Sequence, residues 1–233
     1  MTAPTAAAEK PAGIWEDFVD VFYTPSTVFS RRRAGQFGLA LLILTALSLV
    51  VYFATKGGMQ AVMDAEFERQ TAEALRKNPQ IKPEQLQGMR SFSEKFAWIF
   101  ILIGLPVRVF VVGLLLWVGG KMVGAVGPIG SAVMVSTYAM VPRLLEQLVA
   151  GVQGLLLDPG GITSRYSVSL SAARFLDPAT TDSLLLKLAG QVDLFAIWTA
   201  VLLAIGLSVV GRVPLARAAI VAAVIWLCGA FFG

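Results

Sequence analysis

The amino-acid sequence predicts an all-α, polytopic helical membrane protein. We expect about five transmembrane helices and an extramembrane αα-hairpin between spans one and two. The first reason is composition: of 233 residues, 56% are apolar and 15% are charged, whereas a typical soluble domain is about 45–50% apolar and about 25% charged. The mean hydropathy of +0.72 also excludes a disordered chain. The second reason is the length of the apolar runs, several of which approach the roughly 20 residues that cross a bilayer.

Four apolar runs have the length and composition of single transmembrane helices: about 37–55, 96–118, 192–210 and 214–232. The last two are separated only by a short turn at Gly211, so they are expected to be antiparallel neighbours. Together with a third region between them, the four runs make up a predicted membrane domain over residues 37–233.

The third region, 129–157, has two interpretations. As one helix it would be roughly 44 Å long, which exceeds the roughly 30 Å hydrocarbon core. Pro142 interrupts it, and a proline inside a helix removes a hydrogen bond and kinks or breaks the helix. The region is either one tilted, kinked span or two half-helices that do not each cross. We expect one kinked crossing.

The polar segment 56–95 predicts the outer helical hairpin. Apolar residues at helical spacing indicate a helix over 59–77, which Asn78-Pro79 ends. A second helix begins near Pro83 and carries an apolar face that continues into span two. Further along, the Asp177-Pro178 pair predicts the start of another helix over 178–189.

Residues 1–36 are predicted to be a cytosolic tail with a short amphipathic helix near residues 14–22. One face carries Ile14 and three aromatic residues, and the other carries three acids; the aromatic residues are Trp15, Phe18 and Phe22, and the acids are Glu16, Asp17 and Asp20. Pro25 then occupies the first position of a second helix, which leads to the arginine run at 31–33 at the membrane flank. The amphipathic helix either docks beside the bundle through its apolar face or binds a partner in the cytosol.

Charged residues inside a membrane core are functional hypotheses by default. Arg108 lies in the middle of span two, while Arg143 and Glu146 lie beside Pro142, one helical turn apart. These three residues form either an electrostatic clamp between spans two and three or a solute or proton path through Glu146. If the third region is re-entrant, the pair at 143 and 146 lies at the surface instead. We expect Arg108 to have a partner, with Glu146 the nearest candidate, and Asp193 to cap the helix of span four.

Several classes of function lack their usual residues. The chain has no histidine and one cysteine, Cys228, so no catalytic metal site, cofactor or intrachain disulfide is predicted. Hydrolase signatures such as G-x-S-x-G and HExxH are missing from the sequence. The basic residues are scattered rather than clustered in a nucleic-acid patch. We therefore expect neither enzymatic activity nor nucleic-acid binding.

Four features resemble the Yip family, the Ypt/Rab-interacting multi-span membrane proteins and their bacterial relatives. The first is the segment from Trp15 and Phe18 through Tyr23-Thr24-Pro25, and the second is Tyr138-Ala139-Met140-Val141-Pro142. The third runs from Asp193 to Trp198, and the fourth is the predicted count of five spans with a cytosolic N-terminus. The resemblance implies a membrane bundle that acts in membrane organisation, with Tyr138, Pro142, Asp193 and Trp198 as family-like positions.

Two functional hypotheses follow. The first is a non-enzymatic membrane-organising scaffold or adaptor that contacts lipid and a protein partner through the N-terminal helix or the outer hairpin. The second is a small solute or ion transporter or channel that uses the broken third helix with Arg108, Arg143 and Glu146. The composition and the basic residues in the short turns favour a bacterial inner membrane with a cytosolic N-terminus. A second copy of the chain, in a homo-oligomer, is a further candidate partner.

Overall fold

The computed structural model describes residues 13–80 and 82–232, and the first 12 residues of the predicted tail lie outside this range. The described chain is all-α without a strand, which confirms the predicted fold class. Its helices are α1 (Ile14–Tyr23), α2 (Pro25–Arg31), α3 (Gly38–Thr55), α4 (Gln60–Lys77), α5 (Pro83–Met122), α6 (Ile129–Ala139), α7 (Pro142–Leu156), α8 (Ser183–Gln191), α9 (Leu194–Gly211) and α10 (Leu215–Phe232).

Three helices in the described residues, α3, α5 and α9, are long and apolar enough to cross a membrane. Helix α10 is also apolar, over Leu215–Gly229. At 40 residues, α5 is about 60 Å long. It therefore combines the second helix of the predicted hairpin with span two in one continuous helix. The total of five spans stays a prediction.

The third apolar region contains two helices rather than one. Helix α6 ends at Ala139, and Pro142 is the first residue of α7. Their 11 and 15 residues correspond to about 16 and about 22 Å. Neither helix alone spans a hydrocarbon core of about 30 Å, whereas the two in sequence are long enough. A single kinked crossing stays a prediction.

The hairpin helix that was predicted over 59–77 is present as Gln60–Lys77. It is tied to the start of α5 by an ion pair between Asp64 and Arg90, and the Arg90 guanidinium lies 4.8 Å from the centre of the Phe67 ring. These contacts place the first turns of α5 beside α4. The position of the hairpin outside the membrane stays a prediction.

The helix that was predicted over 178–189 is wrong at its start, because the structure begins α8 at Ser183. Asp177 instead closes a turn, in which its carboxylate accepts hydrogen bonds from Ala179 N (2.9 Å) and Thr180 Oγ1 (3.0 Å). Asp182 then accepts from the backbone of Leu184 and Leu185 and caps α8. Asp177 therefore stabilises a turn, and Asp182 caps the helix.

Helix α6 lies at the centre of the bundle, and every residue from Ser131 to Ala139 is buried. Small residues bring neighbouring helices close to it. A Cβ added at Gly113 of α5 would lie 2.8 Å from Val133 Cα, and one at Gly206 of α9 would overlap the side chain of Val135. The core therefore depends on glycines that face α6.

Candidate functional site

A carboxylate with no exposed surface joins the N-terminal helices to the bundle. Asp17 of α1 is 0% exposed. Its Oδ1 accepts a hydrogen bond from Arg31 Nη1 and its Oδ2 accepts one from Arg32 Nε, both at 2.6 Å. Tyr138 Oη of α6 lies 3.4 Å from the same Oδ2 and donates to it. We call this group of four residues the N-terminal clamp.

The chain reversal between α1 and α2 makes the clamp possible. Pro25 is the first residue of α2, and its fixed φ suits that position. The reversal returns Arg31, 14 residues after Asp17, to the acidic side of α1. Arg31 also lies 3.3 Å from Asp20. Burial acts to lower the pKa of Arg31, but its bonds to Asp17 and Asp20 outweigh burial and raise that pKa overall.

Aromatic contacts hold the apolar side of α1 on the bundle. The Phe18 ring meets Tyr138 edge-on at 5.9 Å, and the Phe22 ring meets Trp198 of α9 edge-on at 5.1 Å. Trp15 belongs to the same predicted face, yet 61% of its surface is exposed. The predicted interaction face therefore divides into a docked part and an outward part.

From the sequence, Asp17 was placed on the acidic face of α1 and assigned no partner, whereas the structure buries it. A buried carboxylate is tolerated when it is paired and hydrogen-bonded, and the two arginines satisfy both conditions. The arginine run is also more than a membrane flank, because Arg33 donates to Val209 O of α9 at 2.8 Å. The sequence signal for these ion pairs was the two acids at 17 and 20, followed by a proline turn and three consecutive arginines.

Three of the four family-like positions lie next to the N-terminal helices or at the helix break. Tyr138 completes the clamp, Trp198 receives Phe22, and Pro142 begins α7. Asp193 caps α9 as predicted: its Oδ1 accepts from Phe195 N at 2.9 Å and from Ala196 N at 3.1 Å. Its buried Oδ2 has no partner in the part of the chain that the structure describes.

The predicted intramembrane residues line one cavity of about 280 Å³. Arg143 Nη1 donates to Glu146 Oε2 at 2.5 Å, so these two residues do form a pair. Arg108 was expected to have a partner, with Glu146 the nearest candidate. The two residues line the same cavity, but within residues 13–80 and 82–232 Arg108 makes no hydrogen bond or ion pair. Glu146 instead pairs with Arg143, which lies one turn away on the same helix.

Sequence reasoning missed two further cations of the cavity, Arg165 and Lys187. Both come from the segment between α7 and α8 or from α8 itself, where the sequence has little periodicity. A single antiparallel bridge between Ser171 and Asp193 holds that segment against the start of α9. Gln153 Nε2 of α7 also donates to Val168 O at 3.0 Å, and Gln191 Nε2 of α8 donates to Trp226 O of α10 at 3.0 Å. Such tertiary contacts place Arg165 and Lys187 near the membrane helices.

Comparison with known families adds one finding. A family model described as the Yip1 domain matches residues 19–233. This range contains the second half of α1 and all later helices. Comparison with curated proteins and with solved structures gives no match.

Proposed function

The chain belongs to the Yip family of membrane proteins, and we propose that it is a non-enzymatic scaffold or adaptor that organises a bacterial inner membrane. In this proposal the bundle anchors the protein, and α1 holds a protein partner at a fixed position on it. The partner presents an apolar helical face to α1. The supporting observation is that α1 is locked to the bundle along one side and exposes apolar side chains along the other.

The exposed side of α1 forms a single edge. Trp15, Val19 and Tyr23 are 61%, 58% and 81% exposed, and they recur every four residues, so they align along the helix. Tryptophan and tyrosine are enriched among the residues that dominate binding energy at protein interfaces. A helix that is already ordered loses little conformational entropy when a partner binds. We call these three residues the α1 edge.

The outer hairpin offers a second contact region for the same function. A groove of about 740 Å³ lies between α4 and the first turns of α5. Met63 and Phe67 line it from α4. On α5, Met89 lines the groove and is 67% exposed, and its neighbour Phe92 is 59% exposed. A protein partner outside the membrane would cover these apolar side chains.

Photo-cross-linking in native membranes tests the adaptor function. A photoreactive residue at Val19 lies on the α1 edge, whereas the same residue at the fully buried Val21 is the matched control on the same helix. We expect a near-stoichiometric protein adduct at position 19 but not at position 21, with the cross-linked peptide in an apolar helix. Adducts with phospholipid alone at position 19, or equal protein adducts at both positions, would contradict the proposal.

The cavity supports a second candidate, a small solute or ion transporter. Broken helices and buried charges mark solute sites in transporters. Here α6 and α7 break beside Arg143 and Glu146, and both residues line the cavity with Arg108. A Glu146→Gln protein that is stable in proteoliposomes should lose solute flux if this candidate is correct. Flux equal to wild type across several solutes would remove the role of Glu146.

The proposed orientation has a cytosolic N-terminus. It is supported by Lys121 after span two and by Arg212 and Arg217 around the last turn, since short cytosolic turns carry excess lysine and arginine. Single cysteines at residues 121 and 182 in a Cys228→Ser background test it with an impermeant thiol reagent. In intact cells the reagent should label position 182 and not position 121. The reverse pattern would contradict the orientation.

A further inference from the structure

The polar cavity carries more positive than negative charge. Arg108, Arg143, Arg165 and Lys187 line it, against the two carboxylates of Glu146 and Asp193. It lies where α5, α7, α8 and the start of α9 meet the segment after α7. An excess of cations in a partly enclosed space favours an anionic ligand, because the surrounding protein screens charge less than water does.

The two carboxylates of the cavity are bound in different ways. Glu146 accepts from Arg143 at 2.5 Å, and Asp193 Oδ1 accepts two backbone N–H groups of α9. Asp193 Oδ2 is buried without a partner in the described residues, so this carboxylate keeps its negative charge. Four cations against two carboxylates still leave two positive charges in the lining. This positive charge favours an anion from outside the chain.

Several N–H donors of these cations have no partner in the described residues. In the described residues, Arg108 and Lys187 make no hydrogen bond or ion pair, and the buried Nε of Arg143 has no partner. Arg165 donates only to the neighbouring Tyr166 Oη, at 3.1 Å. Guanidinium and ammonium groups are the preferred protein donors to phosphate oxygens. The cavity thus has the donor set of a phosphate site.

An apolar groove of about 590 Å³ adjoins this cavity. Arg108, Arg143, Gln191 and Gly229 line both spaces, so the two meet at these residues. The rest of the groove is mostly aliphatic, with side chains from α5, α9 and α10; examples are Val107, Val111, Leu115, Leu203 and Ile225. The indole Nε1 of Trp226, which also lines the groove, is buried without a partner in the described part of the chain. A charged pocket that continues into an apolar groove fits an amphiphile.

We propose that the cavity and groove together bind one phospholipid, with its phosphate among Arg108, Arg143 and Lys187 and an acyl chain in the groove. The shared chemistry is the phosphate group, which either a lipid or a free phosphate supplies; the apolar groove favours the lipid. This binding site does not rest on the adaptor function, because no residue of the α1 edge contributes to it. It also requires no movement of the lipid across the membrane.

Native mass spectrometry of the purified full chain in detergent tests the site. The probes are dioleoyl phosphatidic acid, dioleoylglycerol with the same chains but no phosphate, and inorganic phosphate. We expect one phosphatidic acid to bind, with dioleoylglycerol at least about tenfold weaker, since each charge-assisted contact is worth about that factor. Equal binding of the two lipids would overturn the proposal. Inorganic phosphate that binds as tightly as the lipid would assign the site to a free anion and overturn the lipid part.

Variants locate the binding. The double substitution Arg108→Gln and Lys187→Gln should remove the preference for phosphatidic acid. Arg217→Gln, an exposed arginine that lines neither space, is the matched control and should keep it. An unchanged preference in the double variant, or an equal loss in Arg217→Gln, would overturn the assignment to this cavity. If the double variant does not fold, the comparison of the two lipids on the wild-type protein still tests whether the phosphate is recognised.

Discussion

Asp17 and Arg31 lie on two consecutive helices, yet the carboxylate of one accepts a 2.6 Å hydrogen bond from the guanidinium of the other. Asp17 is fully buried, and 29% of the Arg31 side chain is exposed. With Arg32 and Tyr138, this contact makes α1 part of the bundle rather than a free cytosolic helix. The N-terminal clamp thereby determines which side of α1 remains available to a partner.

Replacement of Asp17 by asparagine should lower stability. The change removes two charge-assisted hydrogen bonds and leaves Arg31 and Arg32 without their shared acid. We expect a loss of about 1–3 kcal/mol, since both arginines keep some contact with solvent. Unfolding in detergent measures it, and Glu68→Gln, an exposed hairpin acid, is the control. Equal midpoints for the two variants would contradict a stabilising clamp.

The pair of Arg143 and Glu146 should show modest coupling. Their side chains are 24% and 32% exposed, so water screens the pair in part. A double-mutant cycle with Arg143→Gln and Glu146→Gln should give a coupling free energy of about 0.5–1.5 kcal/mol. Unfolding free energies of the four proteins supply this value. Additive effects of the two substitutions would show that the contact contributes nothing measurable.

The substitution of glycine by alanine should have opposite effects on stability at two positions. A Cβ at Gly154 of α7 would overlap the backbone carbonyl of Gly58, so Gly154→Ala forces the two segments apart. We expect a loss of about 1–3 kcal/mol. A Cβ at Gly88 of α5 would meet no atom within 4 Å, so Gly88→Ala should gain about 0.5–1 kcal/mol from helix propensity. Thermal unfolding measures the change in stability of each variant, and changes of the same sign in both would contradict this packing.

Acid should loosen the hairpin helix α4 through Glu66. Burial acts to raise the pKa of Glu66, but hydrogen bonds from Arg69 and Gln70 outweigh it, so that pKa lies below its ordinary value. The unfolded chain then binds a proton more readily than the folded one. The stabilisation is present above the ordinary glutamate pKa and is lost as the pH falls through the lowered one. Hydrogen-exchange protection of α4, corrected for intrinsic rates, should fall over that window.

The variant Glu66→Gln is the test for this pH effect. It should reduce the acid dependence of α4 protection while leaving the protection of α9 unchanged. Glu68→Gln on the same helix is the control, since this side chain is exposed. The same acid dependence in wild type and Glu66→Gln would show that another group is responsible.

The features that sequence could predict are those that local pattern determines. The apolar run that forms α3, the hairpin helix α4 and the cap at Asp193 each follow from neighbouring residues, and the structure contains all three. Features that depend on tertiary contact were missed. The sequence places Asp17 on the acidic face of α1 but does not show that α2 returns Arg31 to it. It also does not show that α8 brings Lys187, which stays exposed, into the lining of the cavity.

Hydrogen exchange of α1 in lipid nanodiscs tests most directly the central claim that this helix is a fixed part of the membrane bundle. The amides after the first turn of α1 should exchange slowly in the wild-type protein, because the clamp and the contacts of Phe18 and Phe22 hold the helix in place. In Asp17→Asn the same amides should exchange at least about tenfold faster, while α9 stays protected. Rapid exchange of α1 in both proteins would contradict the claim.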